Sequence, residues 1–122
     1  MNCVEWEVVN LHEMAILDNM LDVINFQMKE HNIKALKKVK IVVGELTGVA
    51  PDVLEFCWDL SIENSSYKEA ILEVEKIKAV AICSKCTNRY LFSLGPVCNN
   101  CGGGVKEILS GRELYIDYIE GE

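Results

Sequence analysis

The sequence predicts an α+β domain: two helices on a roughly three-stranded sheet, with a small module inserted before the last strand. Three observations carry this. Apolar residues recur at helical spacing over residues 11–31, residues 38–46 alternate as a strand does, and two Cys-x-x-Cys pairs interrupt a later strand.

The cysteine pairs are the strongest chemical signal. Cys83-Ser84-Lys85-Cys86 and Cys98-Asn99-Asn100-Cys101 stand eleven residues apart. Each pair aims two thiolates at one point, and two pairs complete a tetrahedron. Four soft ligands with no open position suit structural Zn²⁺. Gly102, Gly103 and Gly104 come next, where the backbone must turn tightly, and residues 89–96 read as a short strand ending in a turn. This is the pattern of a zinc ribbon. Two disulfides and an iron tetrathiolate are the rival readings. A closed four-thiolate site leaves no position for water or substrate, so this metal is structural.

Composition narrows the function. Of 122 residues half are hydrophobic, enough for a core, and the net charge is −7. An acidic chain argues against nucleic acid as the main partner. Lys85, Arg89 and Lys106 offset the negative charge of a zinc tetrathiolate rather than form a phosphate groove. No apolar run is long enough to span a membrane. The N-terminus lacks a signal-peptide pattern. Thiolates held for metal, with Cys3 and Cys57 besides, fit a reducing cytoplasm.

In chain order, residues 1–10 fit poorly with the rest of the chain, though 5–9 could form a short strand. The first helix runs from Leu11 to about His31, with Met14, Leu17, Leu21, Ile24 and Met28 on its apolar stripe. Asn10 and Glu13 have capping-box spacing. His31-Asn32 suits a helix C-terminus. In the strand at 38–46, Val39, Ile41 and Val43 face the core and Lys38 and Lys40 face away. Pro51 opens the second helix, with Asp52 and Glu55 in its first turn and Val53, Leu54, Cys57, Leu60 and Trp58 on its apolar side. Residues 71–82 form a strand whose phase shifts at Ile77, as at a bulge or a passage between sheets. A last strand covers residues 111–119. The domain reading is an extension at 1–10, an α+β domain of 11–81 and 110–122, and a zinc ribbon at 82–109.

Together these residues resemble the HypA/HybF family, the nickel metallochaperones of [NiFe]-hydrogenase maturation. The matching pieces are Leu11-His12-Glu13-Met14, the turn Gly44-Glu45-Leu46-Thr47-Gly48-Val49-Ala50-Pro51, the two knuckles and Gly111-Arg112-Glu113-Leu114. The resemblance implies a Ni²⁺ site at the family's N-terminal Met-His-Glu, formed by the terminal amine, backbone amides and the His imidazole. Here its His is His12 and its Glu is Glu13, while Leu11 stands in place of the first Met. Nitrogen ligands in a tetragonal set suit Ni²⁺. The departure is that ten residues precede Leu11. The expectation is a natural start at Leu11, where a TTG codon would be read as Met. The codons of Trp6, Glu7 and Val8 can spell a ribosome-binding GGAGGT just upstream.

The resemblance further implies transient Ni(II) delivered to a hydrogenase large subunit with a GTPase partner, and no catalysis. A homodimer stays open. The competing functions are a zinc-ribbon adaptor without a nickel role and a rubredoxin-like electron carrier.

Overall fold

The structure is a computed structural model that describes residues 3–122, with side chains from Glu13 onward. The elements run in the order α1 (Cys3–Glu30), β1 (Leu36–Gly44), α2 (Pro51–Ile62), β2 (Ile71–Ile77), β3 (Val80–Cys83), β4 (Arg89–Leu91), β5 (Val105–Ser110) and β6 (Leu114–Gly121). The six strands make two three-stranded sheets, β2-β1-β6 and β4-β3-β5. The chain divides into two compact units. The first holds the chain up to Ile41, Val49–Val74 and Ile116–Glu122, and the second holds Val42–Gly48 and Glu75–Tyr115. The expected ribbon segment, residues 82–109, lies within the second.

In the first unit, Leu17, Met20, Ile24 and Met28 of α1 are buried, one residue every three or four. They share a core with Leu36, Val39 and Ile41 of β1 and with Leu54, Cys57, Trp58 and Ile62 of α2. The Trp58 indole is buried and its Nε1–H donates to the Ala70 carbonyl at 3.1 Å, which ties α2 to the approach of β2. Lys38 and Lys40 lie on the opposite face of β1, as the alternation requires. There they reach the Glu73 carboxylate at 3.4 and 3.9 Å, and Lys40 reaches Asp117 at 3.8 Å. Both ammonium groups also stand near the Tyr118 ring. In this half-exposed setting the charges steer register more than they stabilise.

Two expectations about α1 change. The helix is already under way at Cys3, so residues 5–9 are helical rather than a strand, and Asn10 and Glu13 do not mark its start. Once nucleated, a helix extends cheaply through a stretch with no Gly or Pro, and residues 3–10 contain neither. The C-terminus behaves as the His31-Asn32 pair suggests. Asn32 takes the left-handed conformation at φ 54°. Its N–H donates to the Lys29 carbonyl at 3.4 Å, and that of Ile33 donates to Met28 at 2.8 Å. This is a Schellman closure with Asn in the glycine position.

The phase shift in residues 71–82 is a passage between sheets: β2 ends at Ile77 and β3 begins at Val80 in the other sheet. Around that passage the two motifs from 44 and 111 meet inside the second unit. The Gly44 N–H donates to the Glu113 carbonyl at 2.6 Å, and the Leu46 N–H to the Gly111 carbonyl at 2.7 Å. Glu45 Oε1 accepts from the Ala79 N–H at 3.0 Å, and Glu113 Oε1 accepts from the Gly111 N–H at 2.8 Å. Thr47 Oγ1 donates to the Gly44 carbonyl at 2.8 Å, and Gly48 ends that turn at φ 77°. Gly111, at φ 113°, lies so close to Ala79 that a Cβ would stand 2.7 Å from the Ala79 Cβ. A Cβ on Gly44 would overlap the Gly111 carbonyl. The residues that looked like a signature are hydrogen-bonding and close-approach positions.

Gly111→Ala and Gly44→Ala should each destabilise the protein by about 1–3 kcal/mol, from strain at positive φ in one case and overlap with backbone in the other. Because the two glycines touch, the double variant should lose less than the sum. Chemical denaturation checks this, and unchanged midpoints would contradict it.

Candidate metal centre

The local backbone of the two knuckles is nearly the same. In each, the N–H two residues after the first cysteine points at its sulfur: Lys85 N to Cys83 Sγ and Asn100 N to Cys98 Sγ, both 3.3 Å. In each, the N–H four residues on returns to the first carbonyl: Thr87 to Cys83 at 3.2 Å and Gly102 to Cys98 at 2.9 Å. That closure needs a left-handed residue at the fifth position. Gly102 supplies it at φ 76° and Thr87 at φ 61°. Thr87 is the less favourable of the two, since a β-branched residue is strained there.

The knuckles converge. The four sulfurs of Cys83, Cys86, Cys98 and Cys101 lie within 4.8 Å of one another. Cys83 Sγ and Cys101 Sγ are 3.4 Å apart, and Cys86 Sγ and Cys98 Sγ 3.6 Å. A disulfide would bring a pair to about 2.05 Å, so these are not disulfides. A tetrahedral zinc tetrathiolate with Zn–S bonds of about 2.3 Å needs sulfurs about 3.8 Å apart. The donor set and its spacing fit structural Zn²⁺. Cys83 and Cys98 are buried, whereas Cys101 is exposed. Gly103 is required by this packing, because a Cβ there would stand 2.7 Å from Cys83 Sγ.

Further donors surround the sulfurs. Asn88 Nδ2 lies 3.7 Å from Cys98 Sγ and 3.2 Å from Asn99 Oδ1, and Asn100 Nδ2 lies 3.7 Å from Cys86 Sγ. These amides spread the negative charge of the thiolates, as the outer shell of a metal site does. They were not singled out from the sequence. Their only signal is position, one asparagine just after the first knuckle and one inside the second.

Ionisation of the bare thiols is uneven. Burial pushes Cys98 up, but the N–H groups of Cys101 and Asn100 and the Asn88 amide outweigh it and bring the thiol down to about 6. The N–H of Gly103 favours the Cys101 thiolate, yet the three neighbouring sulfurs together with burial push Cys101 up to about 12. Four adjacent thiols cannot all shed their protons without a cation among them. The metal supplies that cation, so zinc uptake at neutral pH must expel protons from the cluster.

The residues expected at the nickel end fall differently. Leu11 and His12 lie within α1, and their side chains are outside those described. Glu13 is 1 % exposed, in the core of the first unit. Its charge adds to burial in raising the pKa of the Cys57 thiol on α2.

The core of the second unit is thin: Ala81, Cys83, Tyr90 and Cys98, with Cys86, Phe92 and Ile108 packed against it. Structural zinc contributes about 10–16 kcal/mol of apparent binding energy, more than such a core could supply alone. Cys83→Ser and Cys98→Ser should therefore unfold the ribbon while α1 and α2 keep their far-UV signal. Chelation should do the same, and full loss of helix would contradict a separately held first unit. Zinc binding at pH 7 should release protons to an indicator dye. As pH falls and thiolates reprotonate, affinity should fall.

Comparison with known proteins agrees with this geometry. Residues 11–121 match the HypA family, described as hydrogenase/urease nickel incorporation, metallochaperone. The hydrogenase maturation factor HypA of Moorella thermoacetica is 34 % identical over 113 residues, covering 92 % of this chain and all of that protein. HypA of Lawsonia intracellularis is 33 % identical over 120 residues with the same coverages. The solution structure of the Ni metallochaperone HypA from Helicobacter pylori shares the fold, with a TM-score of 0.60 at 19 % identity over 89 % of this chain and 96 % of that one. With its two knuckles closed into one tetrathiolate site and its sequence matched from Leu11 to Gly121, the chain belongs to the HypA family of hydrogenase maturation factors.

Proposed function

We propose that this protein binds Ni(II) transiently at His12 and passes it to a hydrogenase large subunit during maturation, with a GTPase as co-worker and no catalysis of its own. The observation that carries this is the family match, which begins at Leu11 and so puts His12 and Glu13 at the head of the matched region. The relatives' name as hydrogenase maturation factors supports the destination.

The imidazole of His12 is the side-chain ligand. Glu13 adds its backbone amide, a role that leaves its side chain in the core. Amide nitrogens bind Ni²⁺ only after losing their protons, and an amide inside a helix is already donating to a carbonyl. With α1 running from Cys3, the amides of His12 and Glu13 sit more than two turns in. A helix that begins at Leu11 leaves those amides without helical partners and puts a free amine beside the imidazole. Amine, amide and imidazole then close fused chelate rings in the tetragonal set that Ni²⁺ accepts.

Nickel titration separates the readings. His12→Ala should weaken binding by at least about 10–100-fold. A chain that starts with Met in place of Leu11 should bind more tightly than the full chain. If nickel binding is absent from both chains, the zinc-ribbon adaptor is the better reading. A red ferric tetrathiolate would instead favour the electron carrier.

A further inference from the structure

The outward face of α2 carries an apolar pair that the fold does not use. Phe56 and Leu60, one turn apart, are 56 % and 55 % exposed. Asp52, Glu55, Asp59 and Glu63 run beside them on the same surface, all exposed, and no Lys or Arg occurs from Pro51 to Tyr67. At the edge of this face lies a cleft of about 280 Å³, lined by Glu55, Trp58 and Asp59 of α2 and by Ala70, Ile71 and Leu72. Trp58 is buried there, fixed by its bond to the Ala70 carbonyl. Ile71 is 65 % exposed and opens β2, an edge strand of its sheet.

We propose that this face docks a basic amphipathic segment of a partner protein. The apolar residues of that segment cover Phe56 and Leu60. One of its Lys or Arg side chains enters the cleft, with the aliphatic stem against Trp58 and Ile71 and the charged head between Glu55 and Asp59. A long basic side chain is built for such a site, apolar along its length and charged at its tip. Helix faces and grooves beside edge strands are established peptide-docking surfaces.

Charge selects the occupant. Four carboxylates on a stretch without Lys or Arg repel nucleic acid and anionic lipid headgroups. A second copy of this chain brings a net charge of −7. A segment with basic residues flanking apolar ones offsets the carboxylates and buries the exposed Phe and Leu in one step. The surface is independent of nickel at His12 and stands whether or not that site binds metal.

The test uses the full zinc-loaded chain, labelled with ¹⁵N, and two synthetic peptides of equal charge, one alternating Leu and Lys and one alternating Ser and Lys. The Leu–Lys peptide should shift amide resonances of residues 52–63 and 70–72, with the Ser–Lys peptide much weaker. Phe56→Ser and the double variant Glu55→Lys/Asp59→Lys should each weaken binding about tenfold, with zinc content and far-UV signal kept. The charge-matched control Glu107→Lys/Glu120→Lys should bind as the wild type does. Shifts scattered over the surface, equal binding of both peptides, or equal loss in the control would overturn the proposal. So would a wild-type dimer in sedimentation that Phe56→Ser dissociates, which would give the face to a second copy.

Discussion

Two backbones pass within van der Waals limits at Gly44 and Gly111, and the second unit depends on that approach. Neither residue can carry a side chain, since one would strike the Gly111 carbonyl and the other Ala79. The chain enters the unit through Val42–Gly48, returns through the β2–β3 passage and leaves after β5, so three separate segments meet here. Glu45 and Glu113 secure the meeting by accepting backbone N–H groups that turns would otherwise leave without partners. A charged acceptor makes a stronger bond than a carbonyl does, which suits a point where regular ladders stop.

The sulfur cluster solves a different problem with the same economy. Around it there is little apolar surface, with Tyr90 and Phe92 the only large aromatic side chains of the core cluster. A small module of this kind gains its order from a metal. Buried first cysteines, each facing an N–H two residues on, hold the thiolates in place before the metal arrives. The cluster is responsive to acidity, because metal and protons compete for the same sulfurs.

The first unit serves another end. Its core is ordinary in composition, apart from Glu13 set beside Cys57. The residue next to it, His12, is the one side chain proposed to handle cargo. With α1 running from Cys3, the backbone amides around His12 are inside the helix, so the proposed site needs the helix to begin at Leu11 before those groups become available. On α2 the same unit shows an acidic face with exposed Phe56 and Leu60.

The sequence by itself determined the zinc site, because Cys-x-x-Cys spacing encodes local geometry: a knuckle closes within five residues and needs no distant contact. It also determined the start of α2 at Pro51, the inward face of β1 and the Asn32 closure of α1, all set by periodicity or by a single residue's conformational freedom, whereas Leu60, expected on the apolar side of α2, faces outward. Strand β5 and the true length of α1 were not legible. Residues 105–110 alternate weakly, with only Ile108 and Ser110 partly buried, and residues 3–10 carry no stop signal in either direction. The phase shift at Ile77 marked a break, but only the tertiary structure decided that it separates two sheets. Likewise Gly44, Glu45, Gly111 and Glu113 were visible as a pattern with no assigned job. Their job is long-range, bonds and close approaches between segments some 30 to 70 residues apart, and no local rule of spacing can specify which distant backbone a glycine must make room for.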